Sequence, residues 1–404
     1  MLQNVFTPVF ESAIYRAIAS VFDKVTYGGA SPAFDPASLF SGGYLGFWYD
    51  ESDISVLFQN ARGYTPVSSS GNPLGLNLDK SLELALGSPT SAAGWTNAGG
   101  TWDSLTDLGG GSFTATKSTA GGTDVAVSTN TITLVIGEVW EATLEVASST
   151  LTDYTLGIYN STNLRAINST GGLSGTGTKK AYFIINSTSG TNGSLGLANG
   201  QLGTIEVTSM SIRKLSGIPV YQPTNAQIPK YDETSGLKSK LFDGVDDNML
   251  AVSGGGSTTA FCFMACIKPT QVGVRQTLFS DVGTNTGYKV ELNTSNQLVL
   301  SAGNGTSYTS VTTANTFASG DTVSIEAYDD GTNIGVCLNN GTPVTVARPT
   351  VTAGTTSFTM GKDNGAASGY FKGNMYGEVY TRNKANTPTE RADTIAYLRA
   401  KGGI

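Results

Sequence analysis

From about residue 113 to residue 382 the chain is written in short runs of alternating apolar and polar residues, divided by glycine-rich turns. One group holds FTATK (113–117), TITLVI (131–136), EATLEVA (141–147), YTLGIYN (154–160), KAYFIIN (180–186) and TIEVTSMSIRKL (204–215). A second holds 259–267, 275–280, 286–292, 297–301, 322–329, 334–338 and 343–347, then SFTMG and YFKGNMYGEVYTR. A period of two sends alternate side chains to opposite faces of a strand. Many short strands at this spacing fold as sandwiches of antiparallel sheets. The expected fold class is all-β, with two β-sandwich domains, one inserted in the other, and helices only at the two ends. Glycine, at 51 of 404 residues, is about twice its usual ~7% and supplies the turns. No fixed-period repeat is present, which argues against a β-helical shaft.

The chain contains no histidine. Ser-His-Asp and Cys-His catalysis and every His-ligated metal site are thereby excluded. A net charge of −7 and the lack of any basic run argue against a nucleic-acid partner. Cys262 and Cys266 share a strand face in FCFMACI, about 13 Å apart, too far for a bridge. With Cys337 they are expected to be buried free thiols, as in a protein made in a reducing cytoplasm. No secretory signal is seen in residues 1–24, and no apolar run is long enough to insert in a membrane.

Both ends read as helices. Residues 5–22 carry an apolar stripe, with Thr7 as N-cap and Pro8 at the first helical position. A Gly/Ser/Pro-rich linker is expected over 27–43. That helix either docks on its own domain or serves as an anchor and oligomerisation element. At the other end Thr387, Pro388 and Glu390 form a capping box, and Gly402 closes the helix.

Residues 44–81 (YLGFWYDESDISVLFQNARGYTPVSSSGNPLGLNLDKS) resemble the opening strands of a concanavalin A-like (laminin-G-like) sandwich. Its continuation, with FDGVDD at 242–247, arrives about 130 residues later, and GNMYGEVYTR (373–382) followed by a helix resembles the close of such domains. The resemblance implies a discontinuous domain over 44–87 and 216–404. Residues 88–215 resemble a jelly-roll carbohydrate-binding module through the GW-T near their start, Gly137, Trp140 and Thr143, and the closing Val207–Arg213 strand.

Among site candidates, Trp95, Trp102 and Tyr154, with Trp140, could form an aromatic platform for pyranose rings; the alternative is core packing. Asp243, Asp246 and Asp247 could hold Ca²⁺, or could simply close Asx-turns around Gly244. Asp50 and Asp53 are expected to do similar turn work. Glu141 and Glu145 lie about 13 Å apart on one strand face, wider than the ~5–9.5 Å of a glycosidase pair. No catalytic residue is expected, no P-loop is present, and the chain is read as non-enzymatic. No cofactor is expected beyond Ca²⁺.

The 44–81 phrase also resembles virion proteins of tailed bacteriophages, where it is typically written W-Y-D-P-S-D-x-S-T-L-F-Q-D. Here Glu51 stands for Pro, Val56 for Thr and Asn60 for Asp. The resemblance implies a head-fibre, head-decoration or tail-fibre protein made in the host cytoplasm. Residues 1–43 would attach it to other virion proteins, as a homo-oligomer such as a trimer, with host-surface glycans as partners. The alternative is a bacterial glycan-binding or polysaccharide-degrading protein with an accessory module.

Overall fold

Alternation along the strands divides the apolar side chains between two separate cores, each closed between a pair of antiparallel sheets. The computed structural model describes residues 34–404 apart from 82–89, 93, 99–101, 120–123, 161–165, 171, 187–191, 216 and 365–367. The expected helix at 5–22 lies outside the described residues.

The first core is faced on one side by an eight-stranded sheet. Its order is Lys230–Thr234, Leu237–Asp243, Lys372–Arg382, Phe261–Pro269, Val323–Asp329, Asn333–Leu338 and Val344–Ala347, with Leu45–Tyr49 also paired to Lys372–Arg382. On the other side lies a nine-stranded sheet. It runs Leu57–Phe58, Leu76–Asn77, Val220–Tyr221, Met249–Ala251, Phe358–Met360, Gln276–Ser280, Thr286–Leu292, Leu298–Asn304 and Tyr308–Thr312. Between them Phe47, Phe261, Phe279, Phe358 and Tyr380 pack ring against ring, with Phe47 and Tyr380 centroids 5.0 Å apart. Such pairs add to the burial of their large apolar area.

The buried side chains of the second core come from Ala92–Ile212, with half-buried Tyr64 packed against them from outside the segment. A five-stranded sheet (Ala166–Ser169, Thr155–Asn160, Asn192–Asn199, Asp124–Thr133, Trp95–Ala98) faces a six-stranded one (Gly177–Ile184, Val139–Ser149, Gly203–Leu215, Ser112–Lys117, Ser104–Gly109, with Thr90–Ser91 at its side).

The strands on either side of this segment, Leu76–Asn77 and Val220–Tyr221, are paired with each other. Asp79 locks that neck. Its buried carboxylate accepts from the backbone N–H of Trp48 (2.9 Å), Ser81 (2.8 Å) and Ile218 (2.8 Å) and from the Ser81 hydroxyl (2.8 Å). Gly217 must be glycine here. Its φ is +104°, and a Cβ would stand 2.8 Å from an Asp79 oxygen. The two sandwiches then meet along a buried seam of Phe58, Leu76, Val139, Tyr182, Ile184 and Tyr221. Tyr182 crosses it, its ring 5.0 Å from Phe58 and its N–H donating to the Arg62 carbonyl. Pro36–Ile404 is accordingly one compact unit.

The C-terminal helix Pro388–Lys401 has the expected capping box at Thr387 and Glu390 and buries Thr394, Ile395 and Leu398. The three cysteines are free and buried, and burial pushes the thiol of Cys266 up to about 12 and that of Cys337 up to about 11.

Some expectations fail for physical reasons. The expected strand TITLVI is a strand only to Thr133; Val135 and Ile136 stand exposed in the turn that follows. Asn192–Asn199 (NGSLGLAN) is an inner strand paired on both sides, with an irregularity at Leu195 on the side of Asp124–Thr133, although its composition is that of a turn. Its glycines give room to neighbours, since a Cβ on Gly193 would come within 2.5 Å of Ile158. Part of the expected linker is ordered. Pro36–Phe40 is a short 3₁₀ helix that buries Leu39 and Phe40, with the Lys384 ammonium donating to the Leu39 carbonyl at 2.9 Å.

Candidate functional site

The aromatic residues singled out in the sequence do not form a platform. Trp95, Trp102 and Tyr154 lie in the second core, at 6%, 3% and 0% exposure. Tyr154 shares the inward face with Leu156 and Ile158, as period two requires, and its hydroxyl donates to the Gly175 carbonyl at 2.8 Å. Trp95 packs on Phe113, with 4.4 Å between centroids. A ring enclosed in this way offers no face to a ligand arriving from solvent. Trp140 is half-buried and donates its indole N–H to Glu138 at 3.1 Å. Glu138, Glu141 and Glu145 are engaged separately, by Lys214 (2.6 Å), Arg213 (2.8 Å) and Thr178 (2.6 Å).

The acidic turn brings its three carboxylates together, with one oxygen each from Asp243, Asp246 and Asp247 within 4.8 Å of the others. It is also an Asx-turn. Asp243 accepts from the N–H of Val245 (2.7 Å) and Asp246 (3.3 Å), and Asp247 accepts from the N–H of Asp243 (2.8 Å). Burial, reinforced by the charges of Asp243 and Asp246, pushes the Asp247 carboxyl up to about 7. The oxygen donor set suits a hard cation such as Ca²⁺, which would also need water to reach its six to eight ligands.

The WYDESD and DKS phrases converge on one another. Lys80 reaches Asp50 (3.5 Å) and Asp53 (3.0 Å) and lies 4.7 Å over the Trp48 ring. Asp53 also caps the short helix Ile54–Val56 through the Ser55 N–H. Asp50 is held by Lys401 (3.1 Å) and Tyr397 (3.1 Å) of the terminal helix. Between these phrases lies Glu51, fully buried. It pairs with Lys240, which also holds Glu378 at 2.6 Å, and it accepts from the Asn77 side chain at 2.9 Å. Burial and the nearby Glu51 push the Glu378 carboxyl up to about 8. These contacts tie the first strands to the body of the sandwich.

A different surface, not singled out in the sequence, has the chemistry of a binding face. On the nine-stranded sheet Tyr288, Val290 and Leu292 enter the core, so Lys289 and Glu291 stand on the opposite face. The register carries two rows across four strands. Ser280, Lys289, Ser301 and Ser310 form one; Thr277, Glu291, Val299 and Thr312 form the other. Ser280 and Thr277 are fully buried and Ser301 and Val299 nearly so, so the open part of the face is Arg275, Lys289, Ser310 and Thr312. Lys289 pairs with Glu291 (3.2 Å) and Asp363 (3.6 Å), and Arg275 spans the same two carboxylates at 3.5 and 2.9 Å. The Ser301 and Ser310 hydroxyls meet at 2.8 Å. Arg275 is exposed while Glu291 and Asp363 are largely covered, so the face is recessed around a balanced set of two cations and two carboxylates. Along each strand these serine, threonine and charged side chains look like ordinary strand-face polarity. Only the register shows them in rows.

No family model matches the sequence, and no curated protein matches it. Solved structures with some likeness include a Ruminococcus gnavus IT-sialidase carbohydrate-binding module bound to alpha2,3 sialyllactose (11% identity, 35% of this chain and 83% of that one, TM-score 0.30). Mouse laminin alpha1 chain domains LG4-5 are another (13%, 75% and 96%, 0.30). A third is domain 4 of AbnA, an extracellular arabinanase from Geobacillus stearothermophilus, in complex with arabinotriose (18%, 42% and 80%, 0.33).

Proposed function

We propose that this chain is a non-catalytic glycan-binding protein displayed on the particle of a tailed bacteriophage, with the recessed polar face of the nine-stranded sheet as its contact surface. The observation that carries the binding part is the ion-pair set of Arg275, Lys289, Glu291 and Asp363 on the outer face of the sheet, with Ser310 and Thr312 open beside it. Neutral sugars are hydroxyl-rich, and the paired charges with the Ser310 and Thr312 hydroxyls offer them donors and acceptors without a net field. The lack of histidine, and the burial of the perturbed carboxylates Asp79, Asp281 and Glu378 behind their own partners, support binding without turnover.

The domain reading is a discontinuous sandwich, 44–87 and 216–404, presenting the 88–215 module on a locked neck. The phage reading is supported by the likeness of residues 44–81 to virion proteins. In it, residues 1–43 attach copies of the chain to the particle, and many copies turn weak single contacts into avidity, worth ~10²–10⁴ when geometry allows. Two measurements test this. Glycan-array binding should fall in Arg275→Ala with the fold intact. Immunogold electron microscopy with antibody to 216–404 should label head or tail of the particle. Array binding without any labelled particle would favour the bacterial glycan-binding protein instead.

A further inference from the structure

A cavity of about 230 Å³ lies at the end of the first sandwich, lined by Leu45, Ile218, Ser253, Gly254 and Arg382. Arg382 is the last residue of its strand, opposite Leu45 on one side and Phe261 on the other. Tyr380, two residues earlier, faces the core, so Arg382 projects into the same space between the sheets.

Its charge is poorly matched there. One terminal nitrogen makes a long bond to the Gly256 carbonyl (3.4 Å), and Nε is buried with no partner. Arg213, Arg275, Arg348 and Arg391 each hold a carboxylate. Arg382 has none within ion-pair distance among the described residues. Asp281, which feels the Arg382 charge, has its two oxygens accepting from the N–H groups of Gly256 (2.7 Å) and Tyr288 (2.6 Å). A buried guanidinium edge without an acceptor is costly, and its fork of N–H groups fits a carboxylate.

We propose that this mouth binds a carboxylate-bearing ligand of single-ring size, the carboxylate paired with the Arg382 guanidinium and the ring against Leu45 and Ile218. The volume is below the ~300–1,000 Å³ of ordinary ligand pockets, which limits it to one ring. That the ring is a sugar, and the ligand therefore a uronic acid or similar acidic monosaccharide, rests on the glycan-binding reading above.

The test is ligand-observed NMR on the full chain with glucuronate, galacturonate, glucose, galactose and cyclohexanecarboxylate. Both uronates should bind and the two neutral sugars should not bind at this site. Arg382→Gln should weaken the uronates on the order of tenfold or more. Leu45 is half exposed, so Leu45→Trp should fill the mouth, keep the melting temperature and abolish binding even if Arg382→Gln folds poorly. Binding of cyclohexanecarboxylate alone would uphold the anion pocket and count against a glycan role. No carboxylate binding to the folded wild type, or uronate binding retained in Leu45→Trp, would overturn the pocket. Loss of array binding in Arg275→Ala bears only on the sheet face, so the two readings fail separately.

Discussion

Lys240→Met is expected to be the most damaging conservative change in the first sandwich. Lys240, Glu51 and Glu378 are all fully buried, and the ammonium holds both carboxylates. Methionine keeps the volume and removes the cation. Glu51 then keeps only the Asn77 donor, and Glu378 loses its partner. Breaking a buried ion pair by removing one member costs about 3–5 kcal/mol, whereas exchanging the whole set for apolar residues is often near neutral. The deficit should also depend on pH. The Glu378 carboxyl already sits at about 8, above its unfolded value of ~4.3, so folding binds a proton between those limits and stability falls as pH rises through them. Without Lys240 the Glu378 carboxyl is pushed further up, and the loss grows from pH 5 to pH 8. Chemical denaturation followed by circular dichroism at the two pH values reads this directly. A Lys240→Met protein within about 1 kcal/mol of wild type at pH 8, or a deficit independent of pH, would refute the reasoning.

Four further outcomes are expected. Asp79→Ala strands three backbone N–H groups and a hydroxyl at the neck and should cost about 3 kcal/mol, with Asp79→Asn milder because one acceptor oxygen remains; equal stability of all three proteins would remove the lock. Burial raises Asp79 and Asp281 to about 6, so stability should decline as pH climbs from about 4 to 6; Asp50, held at about 2 against its burial by Lys401, Ser52 and Lys80, contributes stability that is lost as pH drops from about 4 towards 2. A melting-temperature maximum near pH 4–5 is the check, and a maximum above pH 7 would contradict it. Trp102→Phe should lower stability and leave glycan-array binding unchanged, because the ring is in the core; lost binding in a folded variant would place it at a ligand after all. If the acidic turn takes Ca²⁺, millimolar calcium should raise the melting temperature of the wild type and not of Asp247→Asn, and no shift in the wild type would assign the turn to structure alone.

Period-two alternation alone located most strands of both sandwiches, because a strand with one buried face must repeat every second residue. The terminal capping box and the free cysteines were equally local, set by neighbours a few positions away. Where side chains pack against distant partners, the sequence was silent or misleading. NGSLGLAN looks like a turn until Ile158 and Tyr159 need the space beside its glycines. A tryptophan reads the same whether it faces a sugar or Phe113. Glu51 shows its role only against Lys240, 189 residues on, and Asp79 only against Ile218, 139 residues on. The rows of the nine-stranded sheet and the mouth beside Arg382 depend on register and on which distant segments meet. Local pattern selects strands and caps; which side chains become neighbours is decided by pairing between segments far apart in the chain, and that information appears only in the folded molecule.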